Sequence, residues 1–402
     1  VTPGAPQVEI LASPRGEALG QLWRELEAKA AEFSFFQSWT WVGCLADERY
    51  PDPVLLRANS GGRLLGLALL NRRRGRLCLA ESGEPVLDAP FIEHNAPLLA
   101  ADAGPEVEAA LLRAAWQVPG VGQLVLGGVP PHLPRLAGGI AWRWQERPVP
   151  LVALGPVRAA GGDYLAGLSA NSRYQIRRSA RRYAAFGALR LDRAETLPEA
   201  LEWLEALATL HGETWRARGR PGAFADDFAW RFHQALVARA QPRGELDLLR
   251  VTAGERVVGY LYNFRLRGRV YAYQSGLDHV GAGPHGKPGL TCHAMAVERA
   301  IAEGAESYDF LAGPDRYKRS LANAEATLVW AELVPRWSAR GLVVRLRGAA
   351  GRIVGGRPLR ALTPASAERP ALREGNTRGA GAADQPIAVI IGGPAPRSSD
   401  RA

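Results

Sequence analysis

No apolar run in the chain approaches the roughly twenty residues that cross a bilayer as a helix, so no transmembrane segment is expected. The opening residues VTPGAPQVEI carry no basic stretch followed by an apolar one, and no secretory leader is expected there. Cysteine is scarce. Cys44, Cys78 and Cys292 are odd in number, scattered, and form neither CxxC nor a zinc-ligand spacing. That excludes a disulfide framework and points to a reducing, cytoplasmic compartment. There is no GxxxxGK[ST], so no P-loop is expected. Gly281 and Gly283 form GxG without a third glycine at dinucleotide-binding spacing. No heptad run predicts a coiled-coil arm.

Acidic residues thin out toward the C-terminus. The formal charge is +10, and from Pro335 to Ala402 twelve Arg face four Asp or Glu, so the body is nearly neutral. Residues 336–402 form a basic Gly/Pro/Arg-rich tail that reads as mostly disordered. It is suited at most to peripheral membrane contact. Within it, GLVVRLRGAAG (Gly341 to Gly351) is too short and Gly-broken to be a favoured membrane-surface helix. Ile387 to Ile391, IAVII, is an isolated sticky segment suited to docking.

What is present is ample for two domains. In 1–155, Gln7 to Leu11 reads as a strand and Glu17 to Ala31 as an amphipathic helix. The aromatic-dense FSFFQSWTWVGCL (Phe33 to Leu45) reads as a helix packed into the core. Pro53 to Arg57, Leu64 to Asn71 and Arg76 to Ala80 form a meander. Helix Glu106 to Gln117 and strands Gly122 to Gly127 and Trp142 to Val152 follow. Pro156 to Gly162 reads as a linker opening a second domain, 156–335, with Asp163 capping a new helix and Ser169-Ala170-Asn171 leading into another. SRYQIRRSARRYAAFG then sets Arg173, Arg177 and Arg181 at i, i+4, i+8, a solvated basic face or a stripe for phosphate. The helical pattern Leu197 to Ala217 carries His211 and Trp215.

The stretch Val257 to Leu321 organises the rest. Val257 to Phe264 and Val270 to Ser275 form a hairpin. The Gly-rich Gly281 to Gly289 runs into a helix, Leu290 to Ile301, closed by Gly304; strand Ser307 to Leu311 and a polar loop follow. A Gly-rich loop entering a helix N-terminus aims free N–H groups and the positive dipole end at one place, a natural pyrophosphate site.

Tyr271-x-Tyr273-x-Ser275-Gly276, Pro288-Gly289-Leu290, Tyr308-Asp309-Phe310-Leu311 and Tyr317-Lys318-Arg319-Ser320-Leu321 carry a resemblance. Over Gly161 to Leu333 the chain resembles GNAT acyltransferases, closest to the CelD-like, FemAB-like branch. His285-Gly286-Lys287-Pro288-Gly289 stands where that family has its pyrophosphate signature. The resemblance implies a mixed α/β fold of two GNAT-like domains, each a mostly antiparallel mixed sheet flanked by helices, the first degenerate. It implies an N-acyltransferase that moves an acyl group, acetyl in the first instance, from acyl-CoA to an amine of an amino sugar or cell-envelope polysaccharide precursor. Two alternatives stand beside this: a FemABX-like aminoacyl transferase that meets RNA through aminoacyl-tRNA, and a non-catalytic binding module.

The implied site follows the family's geometry. Tyr273, Gln274 and Ser275 would line the cleft. His285, Gly286, Lys287, Gly289 and Leu290 would hold the pyrophosphate, while Arg173, Arg177, Arg181 and Trp215 would meet the acceptor. Asp309 is the candidate base, or a structural partner of Lys318 or Arg319. Lys318 would stabilise developing charge, and Tyr317 would protonate the leaving thiolate. No metal is expected, since His279, His285 and His293 lack acidic partners beyond Asp278.

Overall fold

The structure is a computed structural model that describes residues 5–12, 15–281, 283, 285–353 and 390–391. Its strands are β1 (Gln7–Ala12), β2 (Pro53–Ser60), β3 (Arg63–Arg73), β4 (Arg76–Leu79), β5 (Leu98–Leu99), β6 (Gln123–Val129), β7 (Ile140–Ala153), β8 (Leu189–Arg193), β9 (Leu246–Ala253), β10 (Arg256–Leu266), β11 (Arg269–Leu277), β12 (Ser307–Asp309), β13 (Ala324–Val334) and the short β14 (Ile390–Ile391). They join in one mixed sheet ordered β1-β2-β3-β4-β6-β13-β7-β12-β11-β10-β9-β8-β14, with β5 beside β3.

Each half repeats one plan. An antiparallel run, β1 to β4 or β8 to β11, ends beside a parallel neighbour. β4 pairs β6 through Cys78↔Val125, and β11 pairs β12 through Tyr271↔Asp309. Beyond that neighbour the halves trade strands. β13 lies against β6, β7 lies against β12, and β7 and β13 pair with each other. Each half is thus completed by a strand from the other.

The aromatic stretch at Phe33 is not one helix. It makes a 3-10 turn, Phe35–Gln37, capped by Ser34, and a single helical turn, Trp39–Val42, capped by Ser38. It is buried against the other half, with Phe35 stacked on Phe264 at 4.1 Å. Gly304, at φ +78°, follows the helix Pro288–Ala302 as a left-handed C-terminal residue should.

Four local readings are corrected. A helix, Leu154–Ala159, occupies much of the expected linker. Asp163 caps only the 3-10 turn Leu165–Gly167, where the Ala166 N–H donates to Oδ1 at 2.9 Å, while the expected helix start at Ser169 holds, its side chain capping the Arg-rich helix Ala170–Ala184. The polar loop after β12 contains the helix Arg316–Leu321. The basic pattern at Gly341 lies inside a continuous helix, Ala339–Ile353. The rest of the expected disordered tail lies outside the described residues, except Ile390–Ile391, which pairs with β8. No helix among the described residues is long and apolar enough to cross a membrane.

Candidate active site

Two strand irregularities create the cleft. After Tyr271↔Asp309 the strands β11 and β12 part, and the edge of β11 from Ala272 onward has no strand beside it. Opposite β10, Asn263 pairs Ala272 but Tyr262 pairs Gln274, which leaves Tyr273 as the extra residue of a bulge. Bulges of this kind re-aim a strand beside a site. The opening is a cavity of about 720 Å³. Its walls are Asn171, Ser172 and Gln175 on the Arg-rich helix, and His211, Thr214, Trp215 and Arg218 on and just past the helix Leu197–Arg216. The loop Gly286–Leu290 closes one end, and Asp315 to Lys318 line another side.

The equivalent gap in the N-terminal half is closed. Asn95 Nδ2 donates to Leu79 O at 2.9 Å and Gly127 O at 3.1 Å, tying β4 to the neighbouring strand where the two would part. The halves share a plan, but in the second the splay opens onto the large cleft.

Gln274, Ser275, Gly286, Lys287, Gly289, Leu290, Trp215, Tyr317 and Lys318 all line the cleft. Tyr273 reaches it with its backbone edge, while its ring stacks on Phe91 at 4.6 Å inside the aromatic core. The Ser275 carbonyl meets His211 Nδ1 at 3.0 Å. The Lys287 N–H donates to Ser179 Oγ at 2.9 Å, which fixes the loop to the Arg-rich helix. The first-turn N–H groups of Gly289 and Leu290 lie at the positive end of the helix Pro288–Ala302. His285 is exposed and outside the cleft lining. Arg173, Arg177 and Arg181 are also outside it; Arg173 Nη1 bonds the Leu168 and Ala166 carbonyls.

Asp309 is likewise absent from the cleft wall. Its Oδ2 lies 2.9 Å from His94 Nε2, and its Oδ1 accepts the Leu311 N–H at 2.7 Å. Its partner is therefore neither Lys318 nor Arg319. Burial pulls the His94 pKa down, but the charge and hydrogen bond of Asp309, with Glu93 beside it, raise it overall. Glu93 is 4 % exposed and accepts the Ala312 N–H. Lys318 Nζ donates to Ala312 O at 3.0 Å and Leu311 O at 3.3 Å. Burial holds its pKa below the usual lysine value, opposed by Glu93, Asp315 and Asp309. Leu311 sits at φ +60°, a strained conformation for leucine. The N-terminal half thus supplies Glu93 and His94 to brace the turn that holds Lys318. Nothing in the sequence marks these two residues, because they lie more than two hundred positions from Asp309.

Tyr317, 40 % exposed overall, stacks on His293 with ring centroids 5.9 Å apart, and desolvation on its packed side raises its phenol pKa. It stays protonated near neutrality and can donate. His293 Nδ1 lies 2.9 Å from Tyr308 Oη, and burial lowers its pKa to about 3. His233, fully buried without a polar partner, is also lowered to about 3 by burial and then by Arg49. An unfolded histidine takes its proton below 6.5 while these two stay neutral, so stability is intact above 6.5 and lost as pH falls toward 3. The expected loss is about 1.4 kcal/mol per pH unit for each histidine. Urea unfolding between about pH 6.5 and pH 4.5 measures it, and a flat profile would show that neither is buried neutral.

Among the described residues no three His, Cys, Asp or Glu side chains converge as a metal site. A splayed β11–β12 pair, a helix N-terminus at one end and the half-buried Lys318 at another frame the cleft. Residues 170–319 match the family model of the acetyltransferase (GNAT) domain, and the protein is an acyltransferase carrying that domain. No curated protein matches the sequence. Solved structures of similar fold include FemX, with 10 % identity and TM-score 0.52, covering 84 % of this chain and 99 % of FemX. L-PGS from Bacillus licheniformis is similar with 13 % identity and TM-score 0.51, covering 84 % of this chain and 97 % of L-PGS.

Proposed function

We propose that the protein transfers an acyl group, acetyl in the first instance, from acyl-CoA to an amine of an amino sugar or related cell-envelope precursor. The reading rests on one observation: the strand gap that Asn95 closes between β4 and β6 in the first half is open between β11 and β12 in the second, onto a large cleft. Gly286 to Leu290 would take the pyrophosphate at the helix N-terminus, with Lys287 and Arg218 adding positive charge. Trp215, flanked by Asn171, Gln175 and Thr214, offers an aromatic face with amide and hydroxyl partners, a lining suited to a sugar. Lys318 would stabilise the tetrahedral oxyanion, and Tyr317 would protonate the departing thiolate. Asp309 acts at one remove, as a positioning residue that holds His94 and the Leu311 turn. Three free, buried cysteines accord with a cytoplasmic setting.

A second reading, transfer from aminoacyl-tRNA, draws on the similarity of fold to FemX and on exposed Arg181 and Arg182, on the same helix as the cleft-lining Asn171 and Gln175. Thermal-shift titration with CoA, acetyl-CoA and longer acyl-CoAs separates the two. A ligand of the native state adds about 2.7 kcal/mol at roughly 100 times its dissociation constant. A salt-tolerant shift that depends on acyl length is expected. No shift with any CoA species would sink the first reading, and a steeply salt-dependent shift with aminoacyl-tRNA alone would establish the second.

A further inference from the structure

The helix Ala339–Ile353 presents an apolar stripe that the rest of the described protein leaves uncovered. Trp337 is 85 % exposed, Leu342 52 %, Val343 38 % and Leu346 60 %. The inner face explains why the helix nonetheless sits on the sheet. Gly341 is buried against the turn before the helix, where a Cβ would meet the Pro335 and Arg336 carbonyls, and Val344 is half-buried beside it. Arg340 donates to Gln123 Oε1 at 3.1 Å, which fixes the first turn to β6.

At about 100° per residue, Leu342, Val343 and Leu346 fall within an arc of about 100°. Arginines stand on both sides of that arc, Arg340 on one flank and Arg345 on the other. No Asp or Glu occurs from Pro335 to Ala367. The stripe matches hydrocarbon at shallow depth, and the cationic flanks match phosphate at headgroup level. Trp337, just ahead of the first turn with Arg345 4.7 Å over its ring, suits the interface where indoles partition.

We infer that Trp337 and the helix Ala339–Ile353 dock the protein on an anionic lipid bilayer. The helix packs near the Ile140 end of β7, whereas the cleft lies by Pro148 to Leu151. Eight strand residues at about 3.3 Å each set the two roughly 25 Å apart. The docking surface is therefore an anchor distinct from the catalytic cleft, and it stands whatever acyl donor the cleft takes.

Sedimentation of the full chain with vesicles tests it. Phosphatidylcholine vesicles alone should carry down little protein, and vesicles with about one-third phosphatidylglycerol should carry down most of it, less as salt rises. The combined variant Trp337→Ser, Leu342→Ser, Leu346→Ser changes only exposed side chains and should keep its circular dichroism and thermal midpoint. Its partitioning should fall about tenfold or more. Absence of binding to the anionic vesicles, or equal binding by the variant, would overturn the inference. So would a wild-type dimer that the variant turns into a monomer, since the stripe would then belong to a second copy of the chain.

Discussion

Replacing Lys318 with alanine is expected to lower kcat/KM by about two to three orders of magnitude, the cost of losing one charged oxyanion donor. The thermal midpoint should move little, because the ammonium bonds two carbonyls at a cleft wall and is no part of the apolar core. Lys318→Arg should not rescue, since a planar guanidinium cannot reproduce a point charge above Leu311 O and Ala312 O. Glu93→Gln probes the same group from behind. The amide still accepts the Ala312 N–H, but the negative charge that raises the Lys318 pKa is gone. The alkaline limb of the pH–rate profile should then move to lower pH. Full activity in Lys318→Ala would remove the lysine from the chemistry. A lowered rate with an unmoved alkaline limb in Glu93→Gln would make Glu93 a packing residue only.

The second large effect is structural. A Cβ at Gly276 would lie 2.3 Å from Leu207 O and 2.8 Å from Leu207 Cα, both backbone atoms of the helix Leu197–Arg216. No rotamer relieves a clash with backbone, so Gly276→Ala must push the helix off β11, at a cost of about 3 kcal/mol. That corresponds to a midpoint lower by roughly 6–12 °C. The displaced helix carries His211, Thr214 and Trp215, so activity of the protein that still folds should fall too. An unchanged midpoint would mean that helix and strand are not in such close contact.

Much of the fold was legible because its signals are local. The hairpin β10–β11, the helix after the Gly-rich loop and the glycine that ends it each follow from residues within one turn or one strand. β8 escaped because LRLDR is short and only Leu189 and Leu191 mark its buried face. The exchange of β7 and β13 escaped for a different reason. Either strand reads equally well beside its own half, and only the assembled sheet decides which neighbour it takes. In the site, the cleft-lining loop and Lys318 were within reach of motif spacing. Asp309 read as a base because a carboxylate on a buried strand needs a partner, and the partner proved to be His94 from the other half. The basic face of Arg173, Arg177 and Arg181 gave a period but not a direction. The helix turns Asn171, Ser172 and Gln175 toward the cleft instead.

The traded strands also set a timetable for synthesis. β6 keeps one edge unpaired until β13 has left the ribosome, and β7 waits for β12 on one edge and β13 on the other. Between residue 153 and residue 334 translation takes about 10–40 s at 5–20 residues per second. Throughout that interval the nascent first half carries open strand edges, the feature that most invites wrong pairing between neighbouring chains. A polysome crowded with such intermediates is where a trigger for misassembly would lie, and slower initiation, by spacing the chains, should raise the yield of folded protein.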